Sequence, residues 1–384
     1  MYRFKKIDYL LVVPYILLCA IGVIMVYSAS ANVAVQNGSS PIIYLFKQLI
    51  FVLIGIGITG FMTAFKLSRI RTERFLAIAY IIFLVTFIGL LIVGKTVNGA
   101  AGWIILPGFS IQPAEFVKYY LIIAVAQFLA APGHQEDLLG GSWWYVMGAP
   151  LGLGLVLVLL VLLQPDMGSA TIIVAIIFIM CLSSGISFRR SIVILGGAVA
   201  GLVLIVFPLA LKLYESGVVK SYKLARLVAF VDPFGHARTS GQQLVNSYYA
   251  LSNGGLFGVG LGNSIQKRGY LPEPNTDFIM AITGEELGAI GVSVILILLG
   301  IIIWRSIQVG IRAKSSFNTI VCYGIATYFA VQATINVGGV VGYLPITGVT
   351  FPFISYGGSS MISLTLCLGT LLNISGQERE KREF

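Results

Sequence analysis

The polar stretch Tyr270-Leu-Pro-Glu-Pro-Asn-Thr-Asp277 leads directly into residues 278–304, which are largely apolar and numerous enough to cross a bilayer. It also closes the long polar loop formed by residues 213–276. A carboxylate held at the mouth of a membrane helix is energetically costly and usually serves a function. Asp277 is therefore the first candidate for a catalytic residue.

The composition indicates a membrane protein. Of the 384 residues, 57% are hydrophobic and only 10% are charged, whereas a soluble domain carries roughly 25% charged residues. Apolar runs of about 20 residues recur, and they are continuous rather than alternating, which favours membrane helices over a β-barrel. In such a protein the net charge of +10 indicates topology and contact with membrane lipids, and no nucleic acid partner is expected.

The sequence predicts an all-α polytopic membrane protein with a single membrane domain, residues 1–384, and ten transmembrane helices. The basic N-terminus continues into an apolar run too long for a cleavable signal, so this run is taken as the first helix. Lys and Arg are concentrated at alternate ends of the spans, which places both termini in the cytoplasm and one long extracellular loop between helices 7 and 8. The spans lie near residues 8–29, 43–64, 74–94, 112–131, 144–163, 168–184, 190–212, 277–304, 316–340 and 353–375.

Most of the unusual polar motifs fall on the outer side of this predicted topology. The outer connections lie near residues 30–42, 95–111, 164–168, 213–276 and 341–352. Several distant stretches of the chain should therefore converge on one membrane face.

Three of these motifs precede the long loop. Glu115 and Lys118 are three residues apart and share a helix face, so they form either a structural ion pair or part of a substrate pathway. Trp103 is either an interfacial anchor or a substrate contact. Asp166 lies in a tight turn, Gln164-Pro-Asp-Met-Gly168, where it suits the cap of the next helix.

The long loop contains two recognisable parts. Residues 220–231 have the spacing of an amphipathic helix that lies at the interface or packs on the membrane domain. Residues 254–262 are rich in glycine but lack the strand and βαβ context of a dinucleotide site. We predict instead a flexible backbone with exposed N–H groups, followed by Lys267 and Arg268, which suits a pyrophosphate group. The alternative is a mobile loop whose cations contact lipid headgroups.

Other polar residues have less defined roles. Glu285 and Glu286 follow Asp277 in the eighth span but point in different directions, so they cannot both join it in one site. Residues 345–360, which include Ser355, are rich in small residues that permit close helix packing. The four cysteines all fall in apolar runs and are expected to be buried thiols. The two histidines lie far apart, so a structural zinc site is not expected.

Taken together, the motifs resemble those of the SEDS family (shape, elongation, division and sporulation proteins), over the whole length from the first span to the tenth. Within that family they are most similar to the cell-division branch, with the elongation branch second. In chain order the motifs are Met25-Val-Tyr-Ser-Ala-Ser30, Asn98-Gly-Ala with Trp103, Ile111-Gln-Pro-Ala-Glu115, Gln164-Pro-Asp166, Gly254-Gly with Gly258, Leu271-Pro-Glu273 with Thr276-Asp-Phe278, and Pro352-Phe-Ile-Ser-Tyr-Gly-Gly-Ser-Ser360.

The resemblance implies a function. Members of the family polymerise peptidoglycan glycan strands from lipid II at the outer face of the bacterial cell membrane, together with a class B penicillin-binding protein. It implies a multi-pass protein at the division septum, where other division or elongation proteins are further partners. Many members have a basic residue directly before the tryptophan, where this chain has Ala101-Gly102.

The resemblance also assigns residues. It places the essential acidic residue at Asp277 and a substrate-site tryptophan at Trp103. We expect Asp277 to accept the proton of the attacking hydroxyl. The undecaprenyl-linked glycan and its pyrophosphate should be bound with the help of a divalent cation, Mg or Mn, and no organic cofactor is expected. The remaining predicted substrate-binding residues are Glu115, Lys118, Lys267, Arg268 and Ser355.

Two other classes of protein remain open at this point. A lipid II flippase would also have many helices and intramembrane charges, although the polar residues cluster on one face and no inverted repeat is evident. A non-catalytic scaffold that recruits a penicillin-binding protein would not need Asp277. An assay of polymerisation separates these alternatives from an enzyme.

Overall fold

The computed structural model describes residues 7–36, 38–94, 102–106, 109–131, 143–186, 188–201 and 222–380, together with positions 204, 208 and 212. These residues form thirteen α-helices and one β-hairpin. The elements are α1 (Tyr9–Ala29), α2 (Ala31–Gln36), α3 (Pro41–Ala64), α4 (Glu73–Val93), β1 (Ile104–Leu106), β2 (Phe109–Ile111), α5 (Pro113–Leu129), α6 (Trp143–Leu163), α7 (Met167–Ser183), α8 (Phe188–Gly201), α9 (Tyr222–Val231), α10 (Gln242–Gly254), α11 (Ile279–Arg312), α12 (Ser316–Val341) and α13 (Gly358–Glu380).

The helices are those of a polytopic membrane protein. Within the described residues, six are long and apolar enough to cross a membrane, namely α1, α3, α4, α11, α12 and α13. Two shorter apolar segments, Pro150–Leu163 in α6 and Met167–Ser183 in α7, lie between them in sequence. The predicted seventh span, residues 190–212, coincides with α8 and continues into positions mostly outside the described residues. Ten crossings and their direction remain predictions.

The centre of the molecule is formed by α12 and α13, which are mostly buried, whereas α4 is mostly exposed. Small residues bring α13 against α3. A Cβ on Gly369 would lie 3.1 Å from the Cα of Thr59, and one on Gly55 would lie 2.8 Å from the Cγ2 of Thr365. Glycine at these positions therefore lets the two helices approach closely.

Helix α11 is broken at Gly288, which has φ 67° and ψ −173°. Residues 279–286 are all buried, and exposed apolar positions begin at residue 289. The part of this helix that has exposed apolar side chains therefore starts later than the predicted span boundary at residue 277. A segment of the long loop satisfies the backbone around the break, through hydrogen bonds from Val259 N to Glu285 O (2.9 Å), Gly260 N to Glu286 O (3.0 Å), Ala289 N to Gly255 O (2.9 Å) and Ile290 N to Leu256 O (3.2 Å).

The β-hairpin corrects the all-α prediction. Strands β1 and β2 pair antiparallel, with Ile104 opposite Ile111 and Leu106 opposite Phe109. β-Branched and aromatic residues such as Ile104, Ile105 and Phe109 favour strands. The signal was present in the sequence, but the surrounding membrane helices made a loop the simpler interpretation.

Candidate active site

Segments that are distant in sequence meet at one end of the helix bundle, as the sequence predicted. The turn before α7 contacts the hairpin region, because a Cβ on Gly102 would lie 3.2 Å from Gln164 Oε1. The same turn contacts the segment between α12 and α13, where a Cβ on Gly168 would lie 3.3 Å from Thr347 O. That segment in turn reaches Asp277 through Gly348.

Asp277 is half-buried and lies two residues before α11. Its backbone is fixed by a side chain of α12, since Asn336 Nδ2 donates to the carbonyl oxygens of Asp277 and Val349, each at 2.7 Å. The preceding carbonyl, that of Thr276, accepts a hydrogen bond of 2.6 Å from Ser355 Oγ. The residue is thus held by two buried side chains from separate segments.

Gly348 brings Asp277 and Arg226 together. It has φ +80°, which favours glycine, and a Cβ there would lie 3.3 Å from Asp277 Oδ2 and 3.9 Å from Arg226 Nη1. Arg226 extends from α9, and its Nη1 donates to Ile346 O at 3.4 Å. The helix predicted at residues 220–231 therefore supplies a cation to the site.

The surroundings of Asp277 shift its protonation equilibrium. The pKa of the carboxyl group is raised from 3.8 to about 7, chiefly by burial and then by the neighbouring charge of Glu273. Arg226 and the Thr276 hydroxyl lower the pKa, and Asp166 raises it. A carboxylate whose pKa lies near neutrality can accept a proton during a reaction at physiological pH.

Asp166 caps α7, as its position in the turn predicted. Its Oδ1 accepts a hydrogen bond from Ser169 N at 2.9 Å, and its Oδ2 accepts one from Gln112 Nε2 at 2.8 Å. The backbone N–H of Gln112 donates to Ser359 Oγ at 2.9 Å. The cap therefore also ties α5 and α13 to the turn that borders the Asp277 region.

Glu115 and Lys118 form the predicted ion pair, with 2.6 Å between Oε1 and Nζ. Both side chains are buried, and Tyr328 OH donates to the second carboxylate oxygen at 3.0 Å. Lys118 Nζ also lies 5.3 Å from the centre of the Tyr328 ring. The pair is well satisfied inside the protein, and its predicted role in substrate binding stays a prediction.

Lys267 and Arg268 lie in different environments. Lys267 is buried, with its Nζ 2.6 Å from Glu286 Oε1 and 2.8 Å from Ser28 Oγ. Ser28 in turn donates to both oxygens of Glu286 at 2.7 Å. Arg268 is exposed. The geometry leaves Arg268 accessible to a phosphate, whereas the charge of Lys267 is compensated by Glu286.

In the glycine-rich segment, residues 254–262, several backbone N–H groups are already hydrogen-bonded within the protein. Val259 N and Gly260 N donate to carbonyls of α11 at its break, so the prediction of a flexible, open backbone here is wrong. Glu285 is buried and fixes the following residues, because its carboxylate accepts from Asn253 Nδ2 at 2.9 Å and from the backbone N–H of Ile265 at 3.0 Å. Glu285 and Glu286 thus attach the loop to α11.

Ser355 and Trp103 complete the predicted set. Ser355 is buried and accepts from Phe351 N at 2.7 Å while donating to Thr276 O, so it supports the backbone next to Asp277. Trp103 is half-buried directly before β1. The structure brings Ser355 to Asp277, while substrate contacts of either residue stay predictions.

No group of three or more His, Cys, Asp or Glu side chains suited to a metal ion occurs among the described residues. Mg²⁺ commonly uses one or two carboxylates together with substrate phosphates. A site of that kind needs no group of three such side chains, and the divalent cation remains a prediction.

Sequence reasoning did not assign Arg226, Asn336 or Gly348 to the site. Arg226 was part of a predicted amphipathic helix, where a cation is unremarkable. Asn336 is a polar residue within an apolar span, a pattern that often marks a packing or functional contact. That signal was available, whereas the place of Gly348 depends on a loop conformation.

Comparison with known proteins identifies the family. The family model for FtsW, RodA and SpoVE, described as "Cell cycle protein", matches residues 8–380. The chain is 38% identical to the "Probable peptidoglycan glycosyltransferase FtsW" of Bacillus subtilis, over 99% of this chain and 94% of that protein. It is 36% identical to "Stage V sporulation protein E" of Bacillus subtilis, over 97% of this chain and 98% of that protein.

Solved structures share the fold. One, described as "Structural coordination of polymerization and crosslinking by a peptidoglycan synthase complex", has a TM-score of 0.73 at 24% identity, over 97% of this chain and 98% of that one. The rod shape determining protein RodA of Thermus thermophilus has a TM-score of 0.62 at 23% identity, over 96% of both chains. The resemblance to the SEDS family is thereby confirmed, and the chain belongs to the FtsW/RodA/SpoVE family of cell cycle proteins.

Proposed function

We propose that this chain is a peptidoglycan glycosyltransferase that polymerises glycan strands from lipid II during cell division. Full-length relatives at 33% to 38% identity carry the name "Probable peptidoglycan glycosyltransferase FtsW". The observation that carries the mechanism is the half-buried Asp277 carboxylate, whose pKa is raised to about 7. Asp277 Oδ2 and Arg226 Nη1 both lie within 4 Å of the position that a Cβ would take on Gly348.

The proposed topology has ten crossings with both termini in the cytoplasm. The Asp277 region lies at the N-terminal ends of α11 and α13 and at the C-terminal end of α12, which is one end of the bundle. The Lys-rich and Arg-rich connections precede or follow the opposite ends of these helices. The positive-inside rule then places the site at the outer membrane face, where lipid II is used.

In the proposed reaction, Asp277 accepts the proton from the 4-hydroxyl group of the N-acetylglucosamine of lipid II. The hydroxyl oxygen forms a bond to the anomeric carbon of the N-acetylmuramic acid at the end of the growing chain. The bond from that carbon to undecaprenyl pyrophosphate breaks, and the pyrophosphate takes the electron pair. The displacement inverts the anomeric centre, so an α-linked donor gives a β-1,4 linkage.

The leaving group requires positive charge. Arg226 lies next to Asp277, and a guanidinium group can bind phosphate oxygens with two hydrogen bonds. Arg268 is exposed and is the second proposed contact. A fixed cation that stabilises developing charge in the transition state is usually a large contribution to catalysis.

The proposed partner is a class B penicillin-binding protein that crosslinks the peptides of the new strand. The structurally similar assembly is described as a peptidoglycan synthase complex that coordinates polymerisation and crosslinking, which supports such a pairing. We place the complex at the division septum of the bacterial cell membrane, because several of the similar proteins are named FtsW.

The experiment measures polymer formation from lipid II by purified protein, alone and with a cognate class B penicillin-binding protein. The partner should carry an inactivated transpeptidase, and moenomycin should be present to suppress a contaminating transglycosylase of the penicillin-binding type. We expect polymer with the wild-type chain and none with Asp277→Ala, which should fold normally.

Two outcomes would contradict the proposal. If neither chain forms polymer under any condition, a vesicle assay of lipid II flipping tests the transporter alternative. If Asp277→Ala polymerises as fast as the wild type, the chain is a scaffold or uses another base.

A further inference from the structure

Two adjoining cavities lie at the end of the bundle opposite Asp277, close to the start of α1. The first, which we call the apolar groove, has a volume of about 230 Å³ and runs between α1, α3 and α13. Most of the exposed surface of its walls is apolar and includes Val12, Ile16, Ile56 and Leu372, while polar residues such as Thr59 and Thr63 also line it. A groove of this composition suits a hydrocarbon chain.

The second cavity, which we call the basic pocket, has a volume of about 700 Å³. Its cationic lining residues are Lys66, Arg71 and Lys314, and all three are exposed. The Arg71 guanidinium lies 5.4 Å from the centre of the Phe317 ring, which holds it at the pocket. Glu380 is the single carboxylate among the described lining residues, so the pocket carries a net positive charge.

The two cavities adjoin each other and share two lining residues. Gln377 and Glu380 of α13 border both of them. At this boundary α13 is tied to the end of α3, because Asn373 Nδ2 donates to the carbonyls of Met62 and Phe65, each at 2.7 Å. A molecule with a charged head and an apolar tail could therefore occupy both cavities at once.

The groove is open space between fixed walls. Gly60 of α3 and Gly376 of α13 both line it, and a Cβ atom on either would have no neighbour within 4 Å. A larger side chain at these positions would fill the groove without a clash against the backbone. This provides a direct way to block it.

We propose that the apolar groove and the basic pocket together bind one anionic phospholipid, with its phosphate in the pocket and an acyl chain in the groove. An inorganic anion would bind in the basic pocket alone and would leave the adjoining apolar groove empty. The Lys and Arg distribution predicts that this end of the bundle faces the cytoplasmic leaflet, which is rich in anionic lipids. The site is separate from the Asp277 region and does not depend on the proposed polymerase activity.

The test is native mass spectrometry of the purified full-length protein, delipidated and then titrated with phosphatidylglycerol or phosphatidylcholine of equal chain length. We expect one phosphatidylglycerol to bind with higher affinity than any phosphatidylcholine. Equal binding of the two lipids by the wild-type chain would overturn the proposal.

A first pair of variants tests the groove. Gly60→Leu together with Gly376→Leu fills it and should reduce phosphatidylglycerol binding at this site by about tenfold or more. The control is Gly57→Leu, one turn from Gly60 on α3, which also has open space for a Cβ but does not line the groove. If the filled variant binds as the control does, no acyl chain occupies the groove.

A second pair of variants tests the charges of the basic pocket. Replacing Lys66, Arg71 and Lys314 by Gln should weaken phosphatidylglycerol binding by about fivefold for each cation lost. Replacing Arg69, Arg74 and Arg312 by Gln removes the same charge from the same end of the bundle, but these residues do not line the pocket. Equal losses in the two triple variants would show that only general surface charge attracts the lipid and would overturn the site.

Discussion

The Oδ2 atom of Asp277 lies 3.3 Å from the position that a Cβ atom would take on Gly348. Gly348 also has a positive φ of +80°, so both its backbone conformation and the limited space beside it favour glycine. The space beside the carboxylate thus exists because this loop position carries no side chain. A substrate hydroxyl group can approach the carboxylate through that space.

Replacing Gly348 by Ala should therefore reduce polymerisation by about tenfold or more, because the methyl group crowds both Asp277 and Arg226. The positive φ adds a stability cost of about 1–2 kcal/mol. The control is Gly38→Ala, which has φ +62° but no neighbour within 4 Å of the added Cβ. It should lose a similar amount of thermal stability but keep the activity of the wild type. Equal activity of the two variants would contradict the role of Gly348.

The rate of polymerisation should rise with pH through about 7, because Asp277 must be deprotonated to accept a proton and its pKa lies at about 7. Glu273 raises this pKa and Arg226 lowers it. In kcat/KM profiles, Glu273→Gln should therefore shift the rising limb to lower pH and Arg226→Gln should shift it to higher pH. The exposed Glu73→Gln variant at the opposite end of the bundle is the control, and it should leave the limb in place.

Asp277→Asn should abolish polymerisation and raise thermal stability at pH 8. A raised pKa means that folding disfavours the charged carboxylate, so the folded state loses stability as pH rises from about 4 to about 7. The neutral amide removes that cost. The gain in Tm should vanish near pH 4, where the folded wild type is already protonated. A constant gain at both pH values would contradict the pKa shift.

Asn336→Ala should lower kcat by about 10- to 100-fold, because the variant loses the hydrogen bond that positions the Asp277 backbone. Gln332→Ala is a matched control, one turn earlier on α12. Gln332 Nε2 donates to Thr350 O at 2.9 Å and does not contact Asp277. Both variants should lose similar stability, but only Asn336→Ala should lose activity in the polymerisation assay. Parallel losses of activity would indicate that α12 acts only through general packing.

Lys267→Met and Glu286→Gln should each destabilise the protein by about 3–5 kcal/mol, since each leaves one buried partner of an ion pair uncompensated. The double variant Lys267→Met, Glu286→Leu should recover most of the stability and also polymerise lipid II. Thermal unfolding and the polymerisation assay on the same samples measure both properties. A stable but inactive double variant would instead support the predicted pyrophosphate contact of Lys267.

Much of the site could be predicted because charges are rare in this chain. Asp277 stands out as a carboxylate directly before an apolar run, and the order of loops placed its neighbours on one face. The same rarity of charge predicts the Glu115–Lys118 ion pair, whose role in substrate binding stays a prediction. The position of Arg226 could not be predicted in this way. It lies on a short helix in a long loop, and no periodicity specifies which membrane helix such a segment contacts.

The break at Gly288 was equally hidden. A single glycine within an apolar run is compatible with a continuous helix, so the run was taken as one span. The break is stable because Val259 and Gly260, about 28 residues earlier, donate to the carbonyls that precede it. The same long-range pairing engages the glycine-rich segment, which looks open when only the sequence is considered.

The break also separates the Asp277 region from the part of α11 that can cross the membrane. Residues 289–312 of α11 form a helix about 36 Å long, enough to cross the bilayer by themselves. The helix changes direction at Gly288, so this segment and the buried residues 279–286 do not form one continuous rod. Asp277 is held by Asn336 and by Ser355, through Thr276, on the near side of the break. The position of the carboxylate is therefore set by contacts within the protein interior and not by the part of α11 that is long enough to cross the membrane.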